Sequence, residues 1–522
     1  MCDATKRLAF VLALGFTLTK LSGQAQPASI RPPVIPKTWD DQAIATLEIP
    51  LADPAGSPKH VSADYYYRIP VAPIYRSYFV YAPGREPAGY MDWLKRQEPE
   101  IVWDDVGHAP ALKTSTDWIK AGEVAFDAAI VFNGEGDAQA TWVRDRAWLE
   151  KTGTPVAKDG SLPFVRFVIR RKGVIELGDL SCGTCHTRVL PDGNVLKGAQ
   201  GNLPFIQRSA IRLRTEAAQA NDRTQLLRAR RLRDQALWGT PWLSPDPQIR
   251  IEQMSLDELA AEMEAMPPGV MSRHRASLLY PVQVPDLVGV QDRHYLDRTG
   301  LVLQRSIADL MRYAAMNRGA FDGGDSLANH NGFIPADSPS FQKLPPPATQ
   351  TRYSDEQLYA LALYLNSLRP PPNPNKFDAV ATRGQRVFDR EGCTICHTPP
   401  LYSNNKLTPA EGFRIPENHV MQYDILQVTV GTDSGLALKT LRGTGYYKVP
   451  SLTGLWYRGM FPHDGSCATL EDWFDPRRLR EDYVPTGFKG SGVKARAVKG
   501  HVFGLGLSTE DKRALIAFLK TL

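Results

Sequence analysis

The chain has 522 residues, enough for two or more domains, and 43% of them are hydrophobic, enough to build real cores. Its formal charge of +6 is small for this length, and Lys and Arg are interspersed with Asp and Glu, so no basic tract argues for nucleic acid. The 41 prolines and 41 glycines describe a loop-rich chain rather than a low-complexity one.

Taken in chain order, the first element is an export signal. Lys6 and Arg7 precede an apolar run, Leu8 to Leu18, and Gly23-Gln24-Ala25 places small residues before a cleavage point after Ala25. The run is shorter than the about 20 residues a membrane-spanning helix needs. Residues 1–25 therefore read as a signal peptide and the mature chain as periplasmic. Cys2 lies ahead of the apolar run, not at a cleavage site, so it does not read as a lipoprotein cysteine. Residues 26–115 are Pro- and Tyr-rich and form an N-terminal extension. Gly122 to Asp127 (GEVAFD) opens a helix, and Gly178 to Thr187 (GDLSCGTCHT) follows after a long insertion. Ile211 to Trp238 reads as one charged helix, with Arg228 to Arg233 (RARRLR) on a solvated face, and Arg305 to Met316 as another. Ser354 to Leu368 (SDEQLYALALYLNSL) has a capping box, Ser354 with Gln357, followed by helical apolar spacing. Pro370 to Pro374 cannot continue that helix and marks a boundary. Beyond it the pattern recurs: Gly384 to Asp389 (GQRVFD), Gly392 to Thr398 (GCTICHT), and Ser508 to Leu522 (STEDKRALIAFLKTL).

Four of the six cysteines sit in the two Cys-x-x-Cys-His segments. That pentapeptide is the attachment signature of c-type haem. Two thiols add across the porphyrin vinyl groups, and the next residue lies under the ring, where an imidazole can bind iron. Cys182, Cys185 and His186 would hold one haem; Cys393, Cys396 and His397 would hold the other. A thioredoxin-type disulfide lacks its βαβ surroundings here, and a four-thiolate zinc ribbon would space its pairs far more closely.

Each half thus runs GxxxFD helix, attachment segment, closing helix. That order resembles the class I cytochrome c fold, whose first and last helices cross beside the haem. The expected architecture is mainly α: two fused cytochrome c-like domains, 116–370 and 371–522, with long loop-rich insertions and the N-terminal extension.

Val449 to Trp473 (VPSLTGLWYRGMFPHDGSCATLEDW) resembles the stretch of bacterial di-haem cytochrome c peroxidases that carries PSLRN-, PYFHDG- and TLEE-type segments. The superfamily also holds the maturation enzyme of methylamine dehydrogenase and the di-haem rubber oxygenase, whose long insertions are the nearer likeness. The resemblance implies an N-terminal haem that reacts with peroxide or oxygen and a C-terminal haem that transfers electrons. It also implies a small periplasmic donor, a cytochrome c or a cupredoxin, and calcium between the domains. The peroxidases place a methionine ligand 14 residues after the HDG histidine, here His463; this chain has Arg477 there. The sixth ligand of the second haem is therefore sought elsewhere: His501 leads, with His463 and Met460 as alternatives, and His419 and Met421 further off. For the first haem, His274, His294, Met311, Met316, Trp238 and Trp242 occupy the middle stretch without a clear choice. Cys467 reads as a small buried residue, with a reactive thiol as the alternative. Three functions follow: a peroxidase-like oxidoreductase, an oxygenase acting on an organic substrate, or a plain electron carrier.

Overall fold

A computed structural model describes residues 33–522, apart from 50, 52–56, 58, 135–137, 241, 273–275, 320–350 and 441. The signal-peptide reading of 1–25 and the histidine at 274 lie outside the described residues. Ile35–Leu522 is one compact unit, mainly helical with small antiparallel sheets.

The internal repeat becomes a repeated helix crossing. Helix α1 (Ser115–Asp127) starts at Thr114, which forms a capping box with Asp117. Helix α2 (Asp355–Ser367) starts at Ser354, boxed with Gln357. Helix α3 (Ala379–Arg390) is capped by Asp378, and α4 (Thr509–Lys520) by Ser508, which accepts from the Asp511 amide. These side chains satisfy backbone N–H groups that a helix start leaves without partners.

Helix α1 packs on α2, and α3 on α4, through equivalent residues. A Cβ on Gly122 would meet the Ala360 carbonyl oxygen at 2.0 Å; one on Gly384 would meet that of Ala514 at 1.9 Å. Only a missing side chain allows backbones that close. One turn on, the Phe126 and Tyr364 rings lie 5.3 Å apart, as do those of Phe388 and Phe518. Phe126 and Phe388 are fully buried, each burial contributing roughly 1.5–3 kcal/mol.

The first half carries a sheet that the sequence reading missed. Strands β1 (Ser77–Tyr81), β2 (Val131–Asn133), β3 (Ser161–Arg171) and β4 (Val174–Asp179) run antiparallel in the order β1-β3-β4-β2. The insertion before Cys182 is thus built rather than loop-rich, and the N-terminal extension contributes an edge strand. Strand β3 is buried from Ser161 to Ile169. Buried on both faces, it shows no alternation, and so escapes a search for period two. The signal was present: Arg171 pairs with Val174 across a Lys172-Gly173 turn, with Gly173 at φ 79°, which is hairpin chemistry.

The single helix expected over Ile211 to Trp238 is two: Phe205–Gln219 and Arg223–Trp238. The break falls where Asp222 turns back to accept from the Thr224 and Gln225 amides, ending one helix and capping the next. The basic run is a solvated face only in part: Arg228 is exposed, but the arginines after it turn inward. Arg230 pairs at 2.9 Å with the fully buried Asp234, and Arg231 donates to the Met254 carbonyl at 2.9 Å. The expected Arg305 to Met316 helix runs Ile307–Gly319.

Candidate cofactor site

The sheet positions the first Cys-x-x-Cys-His segment. Strand β4 ends at Asp179, Leu180 takes φ 57°, and Ser181 caps a single turn, Cys182–Cys185, in a box with Thr184. The Thr184 hydroxyl donates to the Phe164 carbonyl of β3 at 2.9 Å, tying the turn to the sheet. Gly201 passes so close that a Cβ there would lie 2.0 Å from the Cys185 carbonyl oxygen. The second segment enters through Gly392 at φ 73° and forms a 3-10 turn, Cys393–Ile395. In both, the histidine amide donates to the carbonyl of the first cysteine, at 2.9 Å for His186 and 2.8 Å for His397.

The two histidines are oriented alike. His186 Nδ1 lies 3.0 Å from the Pro285 carbonyl, and His397 Nδ1 lies 3.0 Å from the Tyr402 carbonyl. A carbonyl can only accept, so Nδ1 carries the hydrogen and Nε2 keeps its lone pair. Metal-binding imidazoles are typically held this way. Burial keeps both rings neutral: it pushes His186 down to about 4 and lowers His397 as well.

A cavity of about 230 Å³ opens beside the second segment, lined by Cys393, Cys396, His397, His501 and His463 among others. The His501 ring centroid lies 6.4 Å from that of His397, with the planes at 56°. A metal about 2.0 Å from one nitrogen of each ring, the usual imidazole–metal distance, would put the centroids about 6.3 Å apart. Burial, with His397 and Arg478 beside it, pushes His501 down to about 3, leaving it neutral, and its Nδ1 is buried without a partner. His501 has φ 47°, a conformation disfavoured for a residue with a Cβ. Arg478 holds it there: fully buried, this side chain donates to the carbonyls of Trp473, Val498, Gly500 and His501 at 2.6–2.9 Å. The residues present fit an iron porphyrin, with thiols, an oriented imidazole and a second imidazole around one cavity.

The other candidates are engaged differently. His463 Nε2 lies 3.2 Å from Asp433 Oδ2, its ring stacks 4.6 Å from Tyr447, and its carbonyl accepts from the Gln283 amide. Burial opposes protonation of His463, but the Asp433 carboxylate outweighs it and raises the pKa. Met460, at φ 69°, is not among the residues lining the cavity. His419 Nδ1 is taken by the Tyr446 hydroxyl at 2.8 Å, Met421 is exposed, and Arg477 is an exposed residue paired with Asp475. At the first segment, no second histidine ring contacts His186 among the described residues. Met311 and Met316 are buried in the core around α1 and α2, Trp238 donates to the Ser272 carbonyl, and His294 is exposed beside Asp424. Trp242 is partly buried in a turn. Cys467 is fully buried, and burial pushes its thiol up to about 12, where it stays protonated and unreactive.

Sequence reasoning missed Arg478, Asp433 and a group of cations, Arg293, Arg298, Lys448 and Arg458, around one small pocket. No local pattern announces any of them, because each acts through contacts distant in the chain. Among the described residues, no group of three or more His, Cys, Asp or Glu side chains could cage a metal.

No family model matches the chain. A cytochrome-c peroxidase, IdrP1, of Denitromonas iodatirespirans is 27% identical over 165 residues, which cover 28% of this chain and 40% of that protein. Among solved structures, Kuenenia stuttgartiensis hydrazine synthase aligns at 15% identity and TM-score 0.27, over 60% of this chain and 92% of the other. A MauG-like protein associated with microbial copper homeostasis aligns at 20% identity and TM-score 0.20, over 32% and 56%. Over 28% of its length the chain is thus similar to a cytochrome-c peroxidase, and the match spans less than half of that protein.

Proposed function

We propose that the protein is a periplasmic di-haem c-type oxidoreductase, peroxidase-like, built from two cytochrome c-like units over 116–370 and 371–522. Cys182 and Cys185 would hold one haem and Cys393 and Cys396 the other, through thioether bonds. His186 and His397 would be the proximal ligands, their Nδ1–H groups fixed by the Pro285 and Tyr402 carbonyls. When bound, haem supplies one-electron iron chemistry and, where a coordination position is open, a place for peroxide or oxygen.

One observation carries the division of roles. His397 is faced by His501 at 6.4 Å, whereas His186 has no histidine ring against it among the described residues. His501 closes the second site and suits it to electron transfer from a small periplasmic donor, a cytochrome c or a cupredoxin. His186 leaves the first site for the oxidant. A plain electron carrier would close both sites, so the asymmetry favours an enzyme; an oxygenase would show an apolar substrate pocket beside His186.

The test is low-temperature electron paramagnetic resonance of the ferric and half-reduced holoprotein, with mass spectrometry for covalent haem. The expected result is two haems, one low-spin, and a high-spin signal in at least one state that hydrogen peroxide abolishes. Low-spin signals alone in both states, with no response to peroxide, would overturn the proposal.

A further inference from the structure

A small pocket lies between the Pro285 to Arg298 stretch of the first half and residues 401–405 and 448–458 of the second. One wall begins at Pro285, whose carbonyl holds His186; the other includes Pro450, Ser451 and Arg458 from the second half. Four cations face this pocket: Arg293, Arg298, Lys448 and Arg458. Three of them, Arg298, Lys448 and Arg458, also line the larger cavity that contains Cys393, Cys396 and His397. The cationic wall is therefore shared between a junction pocket and the second cofactor cavity.

Negative charge at this wall is sparse. Three carboxylates, Asp286, Asp292 and Asp297, stand beside the four cations. Asp286 is already used: Oδ2 accepts from the Tyr457 hydroxyl at 2.9 Å and Oδ1 from the Val288 amide at 3.0 Å. Arg458 Nε lies 3.9 Å from Asp286, beyond hydrogen-bond range. Lys448 Nζ reaches the Tyr295 carbonyl at 3.3 Å, and Arg298 reaches those of Gln283 and Val284 at 3.4 Å, all long contacts. Arg458 donates through one terminal nitrogen to the Ser451 carbonyl at 2.8 Å, but two buried nitrogens at the larger cavity have no hydrogen-bond partner: Arg458 Nε and His463 Nδ1, on side chains 9% and 8% exposed. Buried cations left this way are costly unless an anion joins them.

The anion's identity follows from what shares the cavity. A haem carries two propionate carboxylates on a part of its rim away from the vinyl carbons that bond to cysteine. We propose that Arg298, Lys448 and Arg458 are the seat of the two propionates of the haem held by Cys393 and Cys396, with His463 Nδ1 facing the same rim. Arginine and lysine suit carboxylates through charge-assisted hydrogen bonds. Because the same wall continues to Pro285, the seat ties the second haem to the segment that orients His186. The inference rests on the haem reading above.

The test uses the holoprotein and its Arg458→Gln, Lys448→Gln and Arg458→Lys variants. Resonance Raman follows the propionate bending modes, redox titration follows the low-spin haem, and mass spectrometry counts haems. Both Gln variants should shift the propionate modes and make reduction of the low-spin haem less favourable by about tenfold, the scale of one lost charge near the ring. Arg458→Lys should keep most of the wild-type behaviour, and inorganic phosphate should leave the wild type unchanged because the seat is filled. Unchanged modes and potential in both Gln variants would overturn the proposal, as would a phosphate-dependent potential in the wild type, which would make this a free-anion site. If Arg458→Gln does not fold, Lys448→Gln gives the same reading. Wild type without covalent haem would instead overturn the haem reading itself.

Discussion

Replacing Arg478 with Gln should release His501. The guanidinium is fully buried and donates to four carbonyls: Trp473 at 2.8 Å, Val498 at 2.6 Å, Gly500 at 2.9 Å and His501 at 2.7 Å. It also lies 4.2 Å over the Trp473 ring, and that ring packs 5.3 Å from His501. Hydrogen bonds to charged groups contribute about 1.5–3 kcal/mol each, and a carbonyl left buried without a donor costs about 1–3 kcal/mol. A glutamine reaches about one of the four carbonyls. Allowing for non-additivity, the loss is about 3–5 kcal/mol, among the larger single-residue effects. The clamp works against the left-handed backbone of His501 at φ 47°, a cost of roughly 1–2 kcal/mol. Without it the Val498 to His501 loop relaxes and the 6.4 Å approach to His397 is lost. Electron paramagnetic resonance of the ferric holoprotein should show the low-spin signal of the second haem giving way to high-spin, with a lower denaturation midpoint. Added imidazole should restore the low-spin signal, because His397 and its Tyr402 contact are untouched, and global unfolding would not respond in that way. Arg478→Lys should fall between. A wild-type spectrum in Arg478→Gln, with stability within about 0.5 kcal/mol of wild type, would refute the reasoning.

His501→Ala removes the ring itself: the second haem should become high-spin and bind added imidazole or cyanide, while thermal stability changes far less than in Arg478→Gln. Gly384→Ala and Gly122→Ala put a methyl carbon about 2 Å from the Ala514 and Ala360 carbonyls. Each should destabilise by about 1–3 kcal/mol, measured by thermal melts, and the two melts should respond alike if the crossings are equivalent. Asp309 is buried, which raises its pKa, but hydrogen bonds from Arg305 and then Arg312 lower it overall. A depressed folded pKa means its stabilisation is present above about 4 and is lost as pH falls through the folded value. Asp309→Asn should thus narrow the stability gap between pH 7 and pH 3 in urea titrations; an unchanged gap counts against the pairing.

The helix starts and both attachment segments were legible because their chemistry is local. Ser354 and Gln357 satisfy each other's backbone N–H groups three residues apart, and the apolar positions of α2 recur at helical spacing, so both are written in the chain. The correspondence of GEVAFD with GQRVFD was visible as a repeat, but its reason was not. Gly122 and Gly384 are glycines because a backbone carbonyl about 235 and 130 residues away in the chain passes over them, as the crossing distances show. The missed sheet has the opposite cause: β3 is buried on both faces, so its own alternation is erased, and only the Lys172-Gly173 turn betrays it.

The candidate site divides along the same line. Cys393, Cys396 and His397 form a contiguous motif, and the likeness around His463 is contiguous too. What sets one site apart from the other is not. His501 faces His397 because Arg478 bends a loop from four carbonyls at once, and Asp433 occupies His463 across 30 residues. A side chain such as Arg478 reads in the sequence as one more surface arginine beside Arg477, which is indeed exposed and paired with its neighbour Asp475. Burial separates the two, and burial belongs to the fold. A duplicated unit explains why the chain would hold two haems; it does not explain why they would differ. That difference rests on residues outside the repeat, on the Arg478 clamp at one site and on the sheet and the Pro285 segment at the other. Exchanging attachment segments between the halves should therefore leave each site's spin state in the electron paramagnetic resonance spectrum unchanged, because the loops around the segments, not the pentapeptides, set what faces each histidine.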